Sequence, residues 1–391
     1  MEPFDFRLPT RVVFGSGSVA RLPEAISGLG RKALLVTYRD GSMRTAGTLG
    51  KVVDLLDEAH VSVVVDEGVE PNPRSDYIDR LARTARKEDC SFVVGLGGGS
   101  AMDAAKAIAI ATANDTSVLD YMPGGKNPFA EGVSDALPIV TVTTTAGTGS
   151  EVTRIAVIMD SKNHYKPGVV HKSLYPTVSI VDPQLMLSVP KEVTAATGID
   201  VLFHALESYL SRYANLFSDF IAQEALRLTV ANLETAFRDG SNLEARTNMA
   251  WACTLAGLSL DNANVVAIHG IGQCIGGHTD APHGKTMAAL GPAYLGYTYK
   301  SSPARYARIA QLLGTPAEGL TEAELAERSS AALREFLARF DLDISASSLG
   351  VTESMIPTIA KEAFLTLQPL MDSSLACLDE ADAAQILRLS M

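Results

Sequence analysis

Two rhythms of apolar and polar positions divide the chain. Through about residue 185, short apolar runs rich in β-branched residues recur as "TRVVFG", "KALLVTY", "VSVVVDEG", "SFVVGLG", "PIVTVTT", "RIAVIMD" and "TVSIVDP". None alternates strictly, which is the pattern of strands covered on both faces. Between them, apolar positions fall at helical spacing over 42–58, 74–88 and 101–113. This succession predicts an open, mainly parallel α/β sheet. After "IVDPQLMLSVP" the β-branched runs stop and helical spacing takes over, as in "DVLFHALESYLSRY", "IAQEALRLTVANLETAF" and "SPARYARIAQLLG". A boundary is therefore expected near Asp182-Pro183, with an α/β domain over 1–185 and an all-helical domain over 186–391.

Composition narrows the class. The chain has 391 residues, long for one core and suited to two domains. Hydrophobic residues at 47% and charged residues at 20% exclude a disordered chain. A formal charge of -12 argues against nucleic acid and anionic membrane as partners. Cys90, Cys253, Cys274 and Cys377 form no CxxC pair, so neither a disulfide framework nor a zinc ribbon is expected, and a reducing cytoplasm fits. The opening "MEPFDFRLPTRVVFGSG" lacks the apolar stretch of a signal peptide, and no run reaches the ~20 apolar residues of a membrane span.

"VVGLGGGSAMDAAKAIA" reads as a strand, a glycine-rich turn and a helix start. Gly97, Gly98 and Gly99 carry no side chain where a backbone would approach a ligand, and the helix offers free N–H groups to a phosphate. Ser100 can cap that helix or donate to an oxygen, and Lys106 offers a charge. As a GxGxxG motif the match is imperfect, because Ser100 holds the sixth place. A second small-residue turn, "TVTTTAGTGSEVT", brings hydroxyls at Thr144, Thr145 and Thr148 to the end of another strand. Two such turns predict a dinucleotide, NAD or NADP, lying across the sheet edge in a Rossmann-like manner.

The helical half carries the candidate metal chemistry. Asp200 and His204 stand four apart in "AATGIDVLFHALESY", on one face of the predicted helix. "HGIGQCIGGHTDAPHG" gathers His269, His278 and His283, three of the chain's seven histidines, with Gln273 one turn after His269. An Asp oxygen with three imidazole nitrogens suits Fe²⁺ or Zn²⁺ and leaves room for a substrate oxygen. The spacing does not decide which histidines take part, and an Asp/His pair at this separation often has no ligand.

Four segments, "GGGSAMDAAKA", "TTTAGTGSEVT", "AATGIDVLFHALESY" and "HGIGQCIGGHTDAPHG", have the order and spacing of the iron-containing (group III) alcohol dehydrogenases, and "RVVFGSGSVARLPE" resembles that family's N-terminal signature. The resemblance runs from about residue 6 to 300. It implies a dinucleotide domain followed by a helical metal-binding domain, as in dehydroquinate synthase. It also implies Asp200, His204, His269 and His283 as ligands, with His278 at a variable position. Gly98, Gly99 and Ser100 would meet the pyrophosphate. Asn72, Thr144, Thr145, Thr148 and Lys166 match further cofactor contacts. Asp103 belongs to the motif, with a structural role equally open. The implied activity is an alcohol dehydrogenase or aldehyde reductase acting on a small substrate, as a homodimer.

Two departures matter. Many members carry a histidine where this chain has Gln273, and an amide cannot act as a general acid. Gln273 can instead hydrogen-bond a substrate or water. Many NAD-using members also carry an acid where "LLVTYRD" places Tyr38 and Arg39, which removes repulsion against a 2′-phosphate and leans towards NADP. The alternatives within the superfamily are a metal-independent maleylacetate-reductase-like enzyme and a glycerol-dehydrogenase- or dehydroquinate-synthase-like enzyme. The intact ligand positions weigh against both.

Overall fold

The computed structural model describes residues 3–122, 125–126, 135–161 and 166–391. These residues pack as two compact units. One holds Arg7–Val189 and Gly240–Ala250; the other holds Met1–Phe6, Pro190–Asp239 and Trp251–Met391.

The first unit is built on a sheet of β1 (Arg11–Phe14), β2 (Lys32–Tyr38), β3 (Ser62–Val69), β4 (Phe92–Gly97), β5 (Ile139–Thr143) and β8 (Val178–Val181). Their order is β1-β8-β5-β4-β2-β3, and every pairing is parallel. Along β2, Leu34 and Val36 pack on α2 (Ser75–Lys87) and α3 (Gly99–Asn114), whereas Ala33 and Leu35 join the core beneath α1 (Thr48–Glu58). Both faces are dry, which is why the strands read as continuous apolar runs. Six of the seven predicted strands lie in this sheet.

The seventh, "RIAVIMD", does not. Its β6 (Ile155–Val157) pairs antiparallel with β7 (Gly168–Val170) in a separate two-stranded ribbon. The helical pattern over 42–58 is also interrupted: Gly47 takes φ 74° and ends a first turn, so the long helix begins at Thr48.

The second unit is helical. Its early helices are α4 (Lys191–Tyr209), α5 (Leu216–Arg238), α6 (Leu243–Ala263, which the unit boundary crosses), α7 (Ala267–Thr279) and α8 (His283–Thr298). Asn215 and Ser218 form a reciprocal capping box that starts α5. Among the described residues no helix is long and apolar enough to cross a membrane.

Candidate metal centre and nucleotide loops

Three helices bring the helical unit's ligand candidates together. Asp200 and His204 lie one turn apart on α4, His269 sits in the first turn of α7, and His283 opens α8. Close helix packing allows this. A Cβ on Gly284 would stand 2.2 Å from the Ala196 carbonyl oxygen, so α8 meets the α4 backbone directly beside His283.

Asp200 Oδ1 is the focus. It lies 3.5 Å from His283 Nε2, 3.7 Å from His204 Nε2 and 3.8 Å from His269 Nε2. The donor atoms of Asp200, His269 and His283 all fall within 4.8 Å of one another. The His204 ring stacks on His269 at 4.8 Å, and the His283 ring meets His269 edge-on at 5.0 Å. Asp200, His204 and His269 are buried, while the His283 side chain keeps 30% of its surface exposed.

The arrangement fits a cation. Asp200 Oδ1 and His269 Nε2 are buried without a hydrogen-bond partner, a costly state for polar atoms unless an ion or ligand completes it. Burial pushes the Asp200 carboxyl up, but the imidazoles of His204, His283 and His269 outweigh it and hold the group well below the usual carboxylate range. Burial pulls the His269 imidazolium down, yet the Glu207 and Asp200 carboxylates prevail and lift it to about 10. Glu207 accepts from His269 Nδ1 at 2.5 Å and was absent from the sequence reading. Its signal was available: Asp200, His204 and Glu207 follow i, i+4, i+7, a single stripe of α4.

His278 stands apart, at the far end of α7, with Nε2 2.7 Å from Glu362. Gln273 lies one turn beyond His269, and its Oε1 is buried with no partner.

In the α/β unit, the glycine and threonine turns leave neighbouring strand ends, where Gly97 pairs with Thr143. Thr144 N–H donates to the Gly97 carbonyl at 3.0 Å. Added Cβ atoms would strike Tyr38 at Gly97, Thr145 and Tyr38 at Gly98, and Thr148 at Gly99. The missing side chains thus let these two turns and the end of β2 close on one another. Strand order reverses direction at the β2/β4 junction, the usual site of a nucleotide in such sheets. The Thr144 hydroxyl is buried without a partner.

Tyr38 Oη accepts from the Gly98 N–H at 2.9 Å, and burial lifts its hydroxyl to about 12. Arg39 is exposed and paired with Glu70, while Asp40 accepts from Ser42 N–H. Lys166 Nζ donates to Asn72 Oδ1 at 2.6 Å. Asp103 accepts from Ser150 Oγ and Val157 N–H, so its carboxylate fastens the following loop to α3. Lys106 is buried as well and donates to the carbonyls of Thr153 and Ile155. Ser100 is half-buried at the start of α3.

A dinucleotide-type sheet and a helical unit bearing an Asp/His cluster define the class as metal-dependent, nucleotide-linked dehydrogenases. Residues 9–183 match the family described as iron-containing alcohol dehydrogenase, and residues 194–391 match the C-terminal part of the Fe-containing alcohol dehydrogenase family. The 1,3-propanediol dehydrogenase of Citrobacter freundii is 39% identical over 362 residues, 92% of each chain. The NAD-dependent methanol dehydrogenase of Bacillus methanolicus is 35% identical, covering 92% of this chain and 93% of its own. Among solved structures, the archaeal halo-thermophilic Red Sea brine pool alcohol dehydrogenase ADH/D1 superposes with a TM-score of 0.94 at 32% identity, over 100% of both chains. The chain belongs to the iron-containing alcohol dehydrogenase family. It is an oxidoreductase acting on the CH–OH group of an alcohol.

Proposed function

We propose that the protein interconverts a small primary alcohol and its aldehyde, with a divalent metal held by Asp200, His204, His269 and His283. One observation carries the reading: an orphaned, buried Asp200 oxygen faces three imidazole Nε2 atoms. These four residues would hold Fe²⁺ or Zn²⁺, which would supply Lewis-acid chemistry towards the substrate oxygen. The glycine and threonine turns would hold the nicotinamide cofactor, which would supply the hydride chemistry.

The chain's own residues do the rest. Asp200 supplies the one anionic oxygen of the donor set, and His283, the most exposed of the four, marks the solvent side. Gln273 has no titratable proton, so it orients rather than protonates. Its buried, partnerless oxygen fits a hydrogen-bond donor on the substrate, such as a second hydroxyl. That the C. freundii relative is a 1,3-propanediol dehydrogenase agrees with this.

We read residues 1–185 as the dinucleotide domain and 186–391 as the metal-binding domain; the compact units depart from that division at residues 1–6, 186–189 and 240–250. The nucleotide's contacts are Gly97, Gly98, Gly99, Ser100, Thr144, Thr145 and Thr148, with Asn72 and Lys166 as a linked pair. Tyr38 puts no carboxylate beside the ribose, so NADP is tolerated with NAD, although Arg39 is engaged by Glu70. The enzyme acts as a cytoplasmic homodimer.

The test is metal content per chain after anaerobic purification, with NADH and NADPH oxidation over a panel of small aldehydes. About one equivalent of iron or zinc is expected, with activity lost on chelation and restored by add-back. Turnover by a chain that stays metal-free overturns the reading.

A further inference from the structure

Glu207 is fully buried, with no exposed surface. A carboxylate in that position is expensive unless its oxygens are satisfied. Both are. Oε2 accepts from the backbone N–H of Val266 at 2.9 Å and of His269 at 3.2 Å. Val266 is the N-cap of α7 and caps nothing with its own side chain, so Glu207 reaches over from α4 and closes the open end of α7. Oε1 takes the hydrogen bond from His269 Nδ1 at 2.5 Å. One side chain therefore starts the helix that carries His269 and grips the ring.

A ligating imidazole is neutral and has one N–H, and a carboxylate can only accept. With the proton held on Nδ1, the lone pair falls on Nε2, the atom turned towards Asp200.

We propose that Glu207 is a positioning residue of the metal centre, which sets the His269 tautomer and ring direction. This rests on reading the Asp200/His cluster as the metal site.

The test uses the full chain stripped of metal and titrated with Zn²⁺ against a chromophoric chelator, for wild type and Glu207→Gln. The glutamine oxygen can still accept from Val266 and His269, so the helix cap survives. Its NH₂ group faces Nδ1 and forces the proton to Nε2, the wrong nitrogen for a ligand. The expected result is Zn²⁺ affinity lower by roughly 10–100-fold, with the melting temperature of the metal-free protein little changed. Equal affinity in wild type and Glu207→Gln overturns the proposal. A wild type that binds no Zn²⁺ overturns the metal-site reading instead. Should the variant fail to fold, nitrogen-15 NMR of histidine-labelled, Zn²⁺-loaded wild type decides. A protonated Nδ1 and ligated Nε2 at His269 supports the proposal, and ligation through Nδ1 overturns it.

Discussion

Gln273 is the residue at which this chain's chemistry departs most from the expected pattern. An amide with a buried, partnerless oxygen can discriminate among substrates but cannot donate a catalytic proton. Gln273→Leu should raise KM for 1,3-diols relative to the matching monohydroxy alcohol by about tenfold, the equivalent of ~1.4 kcal/mol. Unchanged discrimination in steady-state kinetics would remove the oxygen from the substrate's surroundings. Gln273→His should introduce an ionisation of kcat/KM in the neutral range that wild type lacks. At the nucleotide end, Tyr38→Asp should shift preference from NADP to NAD by tenfold or more, through repulsion of the 2′-phosphate. Equal Kd ratios before and after would place the ribose elsewhere. The four ligand candidates came from the family resemblance, since spacing alone left the choice among the histidines open. Glu207 was legible only in part: its spacing puts it on the Asp200/His204 stripe, but a glutamate in "FHALESY" reads as an ordinary helix former until tertiary packing turns it inward.

Elements were legible wherever burial on two faces imposed a pattern. β2 and β4 announced themselves by consecutive apolar residues, because both of their faces are covered. β6 was recognised as a strand but assigned to the wrong sheet: an apolar run records that a segment is covered, not which partner covers it. β7 has three residues and left no periodicity to detect. Helix contacts were hidden for a similar reason. "APHGK" shows a glycine, but not that its missing Cβ lets α8 touch the Ala196 carbonyl. Gly284→Ala meets rigid backbone there and should cost about 1–3 kcal/mol while weakening metal retention, because His283 is the adjacent residue. Gly198→Ala, also on α4, meets only the end of the Leu233 side chain and should retain metal. Thermal melts and metal analysis of the two proteins make the comparison. Equal losses would mean that backbone contact at Gly284 has no special part in placing His283.

At the scale of the molecule, two compact units imply two cooperative transitions. The proposed metal ligands all belong to the helical unit, so saturating Zn²⁺ at about 100 times Kd should stabilise that transition by about 2.7 kcal/mol. The other transition should respond to NAD instead. Calorimetry of metal-free and loaded protein tests this, and a single transition that moves with both ligands would contradict it. Thiol accessibility gives a second check of the whole fold. Cys90, Cys253 and Cys274 are buried and Cys377 is exposed, and burial raises the thiols of Cys90 and Cys274. One thiol per native chain should react quickly with a chromogenic disulfide reagent, and all four after denaturation.

The short segment Gly240–Ala250 belongs to the α/β unit although the sequence on both sides of it belongs to the helical one. With the changes of unit after Phe6 and Val189, the chain switches allegiance four times, after residues 6, 189, 239 and 250. Such a chain is knitted rather than strung. A gene cut at one point would leave each half holding stitches that belong to the other. Recombination that swaps a single contiguous half would therefore deliver two incomplete units.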